Sequence, residues 1–131
     1  MKLSARKGDP SRGLAAHRLG LRAETIAALW LRLKGYRILA RRLKTHAGEI
    51  DMVARRGRVL AVVEVKASAQ SAMAGERAVE VLLPRQQQRL ARAAAHLLTM
   101  RPALAGLDLR FDLVLVAPRR LPRHLPDAWR P

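Results

Sequence analysis

The chain contains no cysteine among its 131 residues. Disulfide bonds, thiolate zinc sites and cysteine nucleophiles are therefore excluded for this sequence. Aromatic residues are also scarce, at 3%. A protein that binds single strands by stacking bases on aromatic side chains would be expected to carry more rings. The hydrophobic core must accordingly be built from leucine, valine, isoleucine and alanine.

Two kinds of hydrophobic segment are missing as well. The beginning of the chain, Met1 to Gly13, is basic and lacks the apolar stretch of a signal peptide. No apolar run approaches the ~18 residues that a membrane-spanning helix needs. From these absences we expect a cytoplasmic protein without a membrane partner.

Acidic residues are few, so the charge balance is strongly positive. The chain has 10 Asp and Glu against 26 Lys and Arg, a formal net charge of +16. Such an excess on a small domain indicates a polyanionic partner, because each phosphate that the protein neutralises releases condensed counterions. We therefore predict that the partner is a nucleic acid, with DNA as the leading candidate. The alternative explanation is an arginine-rich composition imposed by a GC-rich genome.

The first helix is predicted from apolar spacing over residues 21–34. Ala28 and Leu31 lie away from its main stripe, which indicates a helix buried on several sides or packed against a partner subunit. The predicted inward stripe consists of Ile26, Leu29, Trp30 and Leu33.

Four β-strands are predicted over residues 36–43, 49–55, 58–66 and 110–116. Residues 67–75 are predicted to form a loop and 76–83 a short helix. A longer helix is predicted from Pro84 to about Met100, with Leu90, Ala94, Leu97 and Leu98 on its inner face. This order predicts an α/β fold with a mixed central sheet flanked by helices.

One domain is predicted over residues 14–117, because the length leaves little room for a second. It is preceded by a flexible basic arm over 1–13. It is followed by a Pro/Arg-rich tail over 118–131 that we expect to be extended or loosely attached.

The second and third predicted strands bring acidic residues together. With a two-residue turn at 56–57, Asp51 is predicted to face Val62 and Glu49 to face Glu64. Side chains alternate along a strand, so four charged residues are predicted to project from one face. These are Glu49, Asp51, Glu64 and Lys66.

Three carboxylates on one face repel each other, and Lys66 supplies one charge against three. A divalent cation would offset that repulsion, and carboxylates without imidazole or thiolate neighbours suit Mg²⁺ or Mn²⁺. Such an ion binds a phosphate oxygen and activates water, while Lys66 would orient or deprotonate that water or stabilise the transition-state charge. The alternative is a hairpin whose polar positions happen to be acidic.

Two short segments carry a family resemblance. Residues 48–54 read Gly-Glu-Ile-Asp-Met-Val-Ala and residues 62–66 read Val-Val-Glu-Val-Lys, with further matches at 35–39 and 110–114. Together they resemble the YraN family of bacterial nuclease-like proteins, which is similar to archaeal Holliday junction resolvases and belongs to the PD-(D/E)XK superfamily. The resemblance implies a restriction-endonuclease-like fold, metal binding by Asp51 and Glu64, and a catalytic role for Lys66.

Glu24 enters the predicted site only through this resemblance, which matches it to a further acidic site residue. Its position alone indicates a first-turn acid favoured by the helix dipole. The resolvase likeness, together with the first helix apolar on several sides, indicates a homodimer.

The leading hypothesis is a Mg²⁺- or Mn²⁺-dependent endonuclease acting on DNA, with branched or damaged DNA in repair or recombination as candidate substrates. The alternative is a nucleic-acid-binding module with a nuclease fold and little or no catalysis. Arg85, Arg89 and Arg92 share one face of the second long helix, where they are predicted to follow a phosphate backbone. A solvated helix face is the simpler explanation of that stripe.

Overall fold

The computed structural model describes residues 10–67 and 82–131. Most of the predicted loop and short helix over 67–83 therefore lies outside the described residues. Residues 1–9 of the predicted arm over 1–13 also lie outside them. The described elements, in chain order, are α1 (Pro10–Leu33), β1 (Arg37–Thr45), β2 (Gly48–Arg56), β3 (Val59–Ala67), α2 (Pro84–Met100), a 3-10 turn (Pro102–Leu104), β4 (Asp108–Val116) and β5 (Arg123–Trp129). Neither α1 nor α2 is long and apolar enough to cross a membrane.

The strands form one mixed sheet in the order β1-β2-β3-β4-β5. Neighbours are antiparallel except β3 and β4, which are parallel and are connected through α2. A parallel pair needs a crossover connection of this kind. The predicted fold class is thereby confirmed: a mixed α/β sheet flanked by helices, consistent with a restriction-endonuclease-like fold.

The sheet separates two hydrophobic cores. Under α2, the buried residues Leu90, Ala94 and Leu97 pack with Val53 and Val62 of the sheet, as the apolar spacing of this helix predicted. The core under α1 lies on the other face and is smaller in its side chains. Its main members are Ala23, Ala27, Ala28, Leu31, Met52, Ala54, Ala61, Val63 and Val114.

The predicted inward stripe of α1 is wrong. Ile26, Leu29 and Leu33 are 40%, 54% and 81% exposed, whereas Ala27 and Leu31 are fully buried. Alanine side chains allow a helix to lie close against a sheet, and that close contact excludes the larger residues from the interface. Residue size, which apolar periodicity ignores, therefore decides the orientation of α1.

Both ends of the predicted domain differ from expectation. Helix α1 begins at Pro10, so residues 10–13 are helical where an arm was predicted. The tail is not loosely attached, because residues 123–129 form β5 and Trp129 stacks on Phe111 with ring centroids 4.2 Å apart. Pro126 is tolerated there because β5 is an edge strand, which can lack a backbone donor on its open side.

Candidate functional site

The turn between β2 and β3 lies one residue later than predicted. The strands pair from Met52 with Val63 to Arg56 with Val59, so the turn is formed by residues 57 and 58. Gly57 has φ +60°, the left-handed conformation that a tight hairpin turn requires. The predicted partners are therefore shifted by two residues, and a shift of two keeps the paired residues 52–56 and 59–63 on their predicted faces.

Strand β2 becomes irregular at Asp51. Its pairing with β3 ends at Met52, and the Asp51 side chain instead accepts a hydrogen bond from the backbone N–H of Val65 at 2.9 Å. Ile50 belongs to the core under α2 and Met52 to the core under α1. Residues two apart on a regular strand share a face, so alternation breaks at Asp51. Its carboxylate is consequently directed at β3.

Asp51, Glu64 and Lys66 are brought into contact at this point. Glu64 lies beside Asp51, which accepts the hydrogen bond of the next residue, and the Glu64 carboxyl is 3.3 Å from the Lys66 ammonium. Burial raises the pKa of Glu64 to about 8, with hydrogen bonding to Asp51 and the charge of Asp51 acting in the same direction and Lys66 opposing them. At neutral pH the folded protein therefore favours protonated Glu64, and a bound cation would displace that proton.

Glu24 and Glu49 lie near this pair, and both contact Arg42. Arg42 of β1 lies between them, with its Nε atom 3.8 Å from Glu24 and 3.9 Å from Glu49. Burial and the charge of Asp51 raise the pKa of Glu24, and Arg42 opposes that rise. One buried oxygen of Glu24 has no hydrogen-bond partner within the described ranges.

The structure thus brings together part of the predicted metal set. No three His, Asp or Glu side chains within residues 10–67 and 82–131 are close enough to hold a metal ion. What the hairpin supplies is one carboxylate pair, Asp51 and Glu64. Mg²⁺ commonly takes one or two protein carboxylates and completes its shell with water and phosphate oxygens. The pair fits an ion of that type, whereas a cage of four protein carboxylates is not formed.

The predicted phosphate-binding arginines lie on α2, where Arg85, Arg89 and Arg92 are all exposed. Arg89 crosses over Gly48, and a Cβ atom at that glycine would lie 3.0 Å from its Cδ atom. A larger residue at Gly48 would push the arginine away, and φ +143° there also favours glycine. One arginine of the stripe therefore passes over the residue before Glu49.

Asp112 is a buried charged residue for which the sequence motifs predict no catalytic or metal-binding role. It is fully buried in β4 and accepts hydrogen bonds from Arg110 at 2.7 and 2.8 Å, His124 at 2.7 Å and the Asp127 backbone at 3.0 Å. Burial alone would raise the pKa of Asp112, but these hydrogen bonds lower it to about 2. An acid within an apolar strand is a sequence signal for such a network, because a buried charge must be paired.

This network extends to the end of α1. Arg110 also donates a hydrogen bond to the Tyr36 hydroxyl, and Lys34 donates one to Nδ1 of His124 at 2.6 Å. Its groups are engaged with one another across α1, β4 and β5. They therefore belong to the framework of the fold.

Comparison with known proteins places the chain in a family. The model of "Uncharacterised protein family UPF0102" matches residues 23–116. A UPF0102 protein of Parvibaculum lavamentivorans is 70% identical over 128 residues, covering 98% of this chain and 93% of the relative. Relatives from Paramagnetospirillum magneticum and Caulobacter vibrioides are 58% and 56% identical, covering 92% and 91% of this chain and 95% and 92% of their own lengths.

The match spans α1 from Ala23 through β4, which includes every acidic residue of the candidate site and Lys66. It confirms the YraN-like family assignment made from the sequence motifs. The chain belongs to the UPF0102 family.

Proposed function

We propose that this protein is a Mg²⁺- or Mn²⁺-dependent endonuclease of the PD-(D/E)XK type that acts on DNA. The observation that carries the proposal is the position of Asp51, bound to the Val65 backbone beside Glu64, whose carboxyl is 3.3 Å from the Lys66 ammonium, at an irregular point of the sheet. Two carboxylates and a lysine at one position are the groups needed to hold a hard cation and to assist phosphodiester hydrolysis.

Each residue has a defined task in this proposal. Asp51 and Glu64 hold the ion, and the backbone N–H of Val65 fixes the direction of Asp51. A divalent ion in this place supplies positive charge to the phosphate and lowers the pKa of a bound water. Lys66 donates a hydrogen bond to the attacking water or to charge developing on the phosphate.

The charge of the protein supports a DNA partner. The net charge is +16, and the exposed Arg85, Arg89 and Arg92 lie on the helix that covers the hairpin, with Arg89 passing over Gly48. Arginines in such a position are suited to bind the phosphates on either side of the cleaved bond. Branched and damaged DNA are the candidate substrates, and a homodimer remains a prediction for sedimentation analysis.

A nucleic-acid-binding module with little or no catalysis is the second candidate. It is favoured by one observation: within the part of the chain that the structure describes, no three potential ligands converge on one point. Such a protein would bind DNA through the same arginines and would not depend on Asp51 for any turnover.

The deciding experiment mixes the purified protein with labelled four-way junction, flap, single-stranded and linear DNA, and with RNA, in Mg²⁺, Mn²⁺ or EDTA. We expect cleavage of at least one DNA substrate that disappears in EDTA and in Asp51→Asn and Glu64→Gln. Asp108→Asn is the matched control, because Asp108 is an exposed acid whose neighbour is Arg58. Binding without metal-dependent cleavage of any substrate would support the second candidate, and cleavage that survives Asp51→Asn would refute the proposed site.

A further inference from the structure

The row formed by Arg42, Asp51 and Glu64 crosses three neighbouring strands. In β1, Arg41 pairs with Met52 and Leu43 with Ile50, so Arg42 stands opposite Asp51. Glu64 follows on β3 and lies beside Asp51. The arginine is thus part of the carboxylate site by its place in the sheet.

The backbone of Arg42 is strained. Its φ is +52°, in the left-handed region that residues other than glycine, asparagine and aspartate rarely adopt. Strain of this kind persists where the surrounding structure imposes it, and it is concentrated at functional sites. Residue type does not indicate this conformation, since Arg42 is one arginine among many.

The guanidinium group of Arg42 is only loosely engaged. Its contacts with Glu24 and Glu49 are both made by Nε, at 3.8 and 3.9 Å, which is longer than a hydrogen bond. Its side chain is 42% exposed, which leaves it open to a ligand. Arg41 differs, because it donates a hydrogen bond to the hydroxyl of Thr25.

A phosphate approaching this site meets four carboxyl groups: Glu24, Glu49, Asp51 and Glu64. Their repulsion must be offset locally, because charges elsewhere on the surface are screened over about 10 Å. Lys66 lies on β3, at one end of the site, and Arg42 lies on β1, at the other end. An arginine fork is the side chain best matched to two phosphate oxygens.

We propose that Arg42 is a substrate-binding residue, whose strained backbone directs its guanidinium fork at a DNA phosphate next to the Asp51–Glu64 pair. This inference rests on the proposed function, and it adds a contact on the β1 side of the site. Binding of the phosphate replaces the loose contacts with Glu24 and Glu49 by charge-assisted hydrogen bonds.

Arg42→Asn (R42N) is the informative variant, because asparagine accepts a positive φ at lower cost than arginine. It removes the charge and relieves the strain, so we expect it to fold, as circular dichroism would verify. R42G serves the same purpose if R42N does not fold, and R42K restores a point charge without the fork. Arg123→Asn is the matched control, since Arg123 is an exposed arginine on β5 at the opposite edge of the sheet.

The measurement is the affinity for labelled duplex and four-way-junction DNA over a range of salt concentrations, in EDTA. We expect R42N to bind several-fold more weakly and to lower the slope of log K against log salt by about 0.9, one phosphate contact. R42K should recover the slope and only part of the affinity, and R123N should behave as the unmodified protein. R42N and R42G that keep the unmodified affinity and slope would overturn the proposal. Because no turnover is involved, this test stands even if the protein cuts no DNA.

Discussion

The backbone N–H of Val65 donates a hydrogen bond of 2.9 Å to the Asp51 carboxylate. The last regular pair of β2 and β3 is Met52 with Val63, and this bond joins the two strands beyond that pair. It holds Asp51 beside Glu64. The oxygen of an asparagine can accept the same hydrogen bond, whereas alanine cannot. Asp51→Asn therefore removes the charge while keeping the link between the strands, which makes it the cleaner test of the site.

Metal binding is predicted to depend on Asp51. Mn²⁺ should raise the melting temperature of the unmodified protein, by a stabilisation of about 2.7 kcal/mol when the ion is present at 100 times its Kd. Asp51→Asn should lose this effect and Asp108→Asn should retain it. The measurement is thermal unfolding across a Mn²⁺ titration, and equal stabilisation of all three proteins would place the ion elsewhere.

The stability of the metal-free protein should depend on pH through Glu64. Its pKa rises from 4.5 in the reference state to about 8 in the folded protein, so the folded state retains a proton that the unfolded chain releases. The contribution of protonated Glu64 to the free energy of unfolding is complete below pH 4.5 and is lost as the pH rises through 8. Glu64→Gln cannot ionise, so it should melt above the unmodified protein at pH 9 and close to it at pH 5. A difference that is the same at both pH values would contradict the raised pKa.

Removal of the Asp112 charge should destabilise the fold strongly. Asp112→Asn leaves Arg110 without its buried partner, and breaking a buried pair typically costs about 3–5 kcal/mol. The pKa of Asp112 is lowered from 3.8 to about 2, so its contribution is present above pH 3.8 and disappears as the pH falls through 2. Urea unfolding at pH 7 should show the deficit, and acid titration should show it narrowing below pH 4. The exposed Asp127→Asn should unfold nearly as the unmodified protein does.

The last strand should contribute to stability through Trp129. Its ring is buried against Phe111, and replacing a buried tryptophan by alanine typically costs about 3–5 kcal/mol. Leu121→Ala is the matched control, because Leu121 is an apolar residue of the same tail that remains exposed. Denaturant unfolding that gives equal stabilities for both variants would show that β5 adds little to the fold.

The arginines of α2 should bind phosphates additively. Replacing Arg85, Arg89 and Arg92 by serine should lower the salt slope of DNA binding by about 2.7, at 0.9 for each contact. A second triple variant at Arg119, Arg120 and Arg123 removes the same charge from the region around β5. If the stripe is only a solvated helix face, the two triple variants will lower the slope equally.

The sequence predicted some features of the β2–β3 hairpin correctly and others not, for physical reasons. The faces of the paired part of the hairpin, 52–56 and 59–63, were predicted correctly despite a wrong register, because side-chain direction in a strand has a period of two and the error was two residues. The Asp51–Glu64 contact could not be derived from that period, since it depends on the point where β2 stops alternating. The role of Arg42 could not be predicted either, because arginine as a residue type does not indicate a left-handed backbone.

The helices and the tail show a different limit. Apolar spacing placed α2 correctly, where large residues face the sheet, and failed for α1, where alanines do. The prolines of the tail argued against a strand, but Pro126 lies on an edge where a missing donor has no consequence. Pattern-based prediction was reliable where burial follows residue size and unreliable where close packing or a sheet edge changes that rule.

The hydrogen bonds around Asp112 bear on how the molecule opens. Edge strands usually fray, and their amides then exchange with solvent through local fluctuations. Here His124 and the Asp127 backbone tie β5 to Asp112, and Lys34 ties His124 to the end of α1. Detaching β5 would remove two of the hydrogen-bond partners of the buried Asp112 carboxylate and break the contact of His124 with Lys34 at the end of α1. The last strand should therefore open together with the core and not fray by itself, with amide protection in β5 following that of the core.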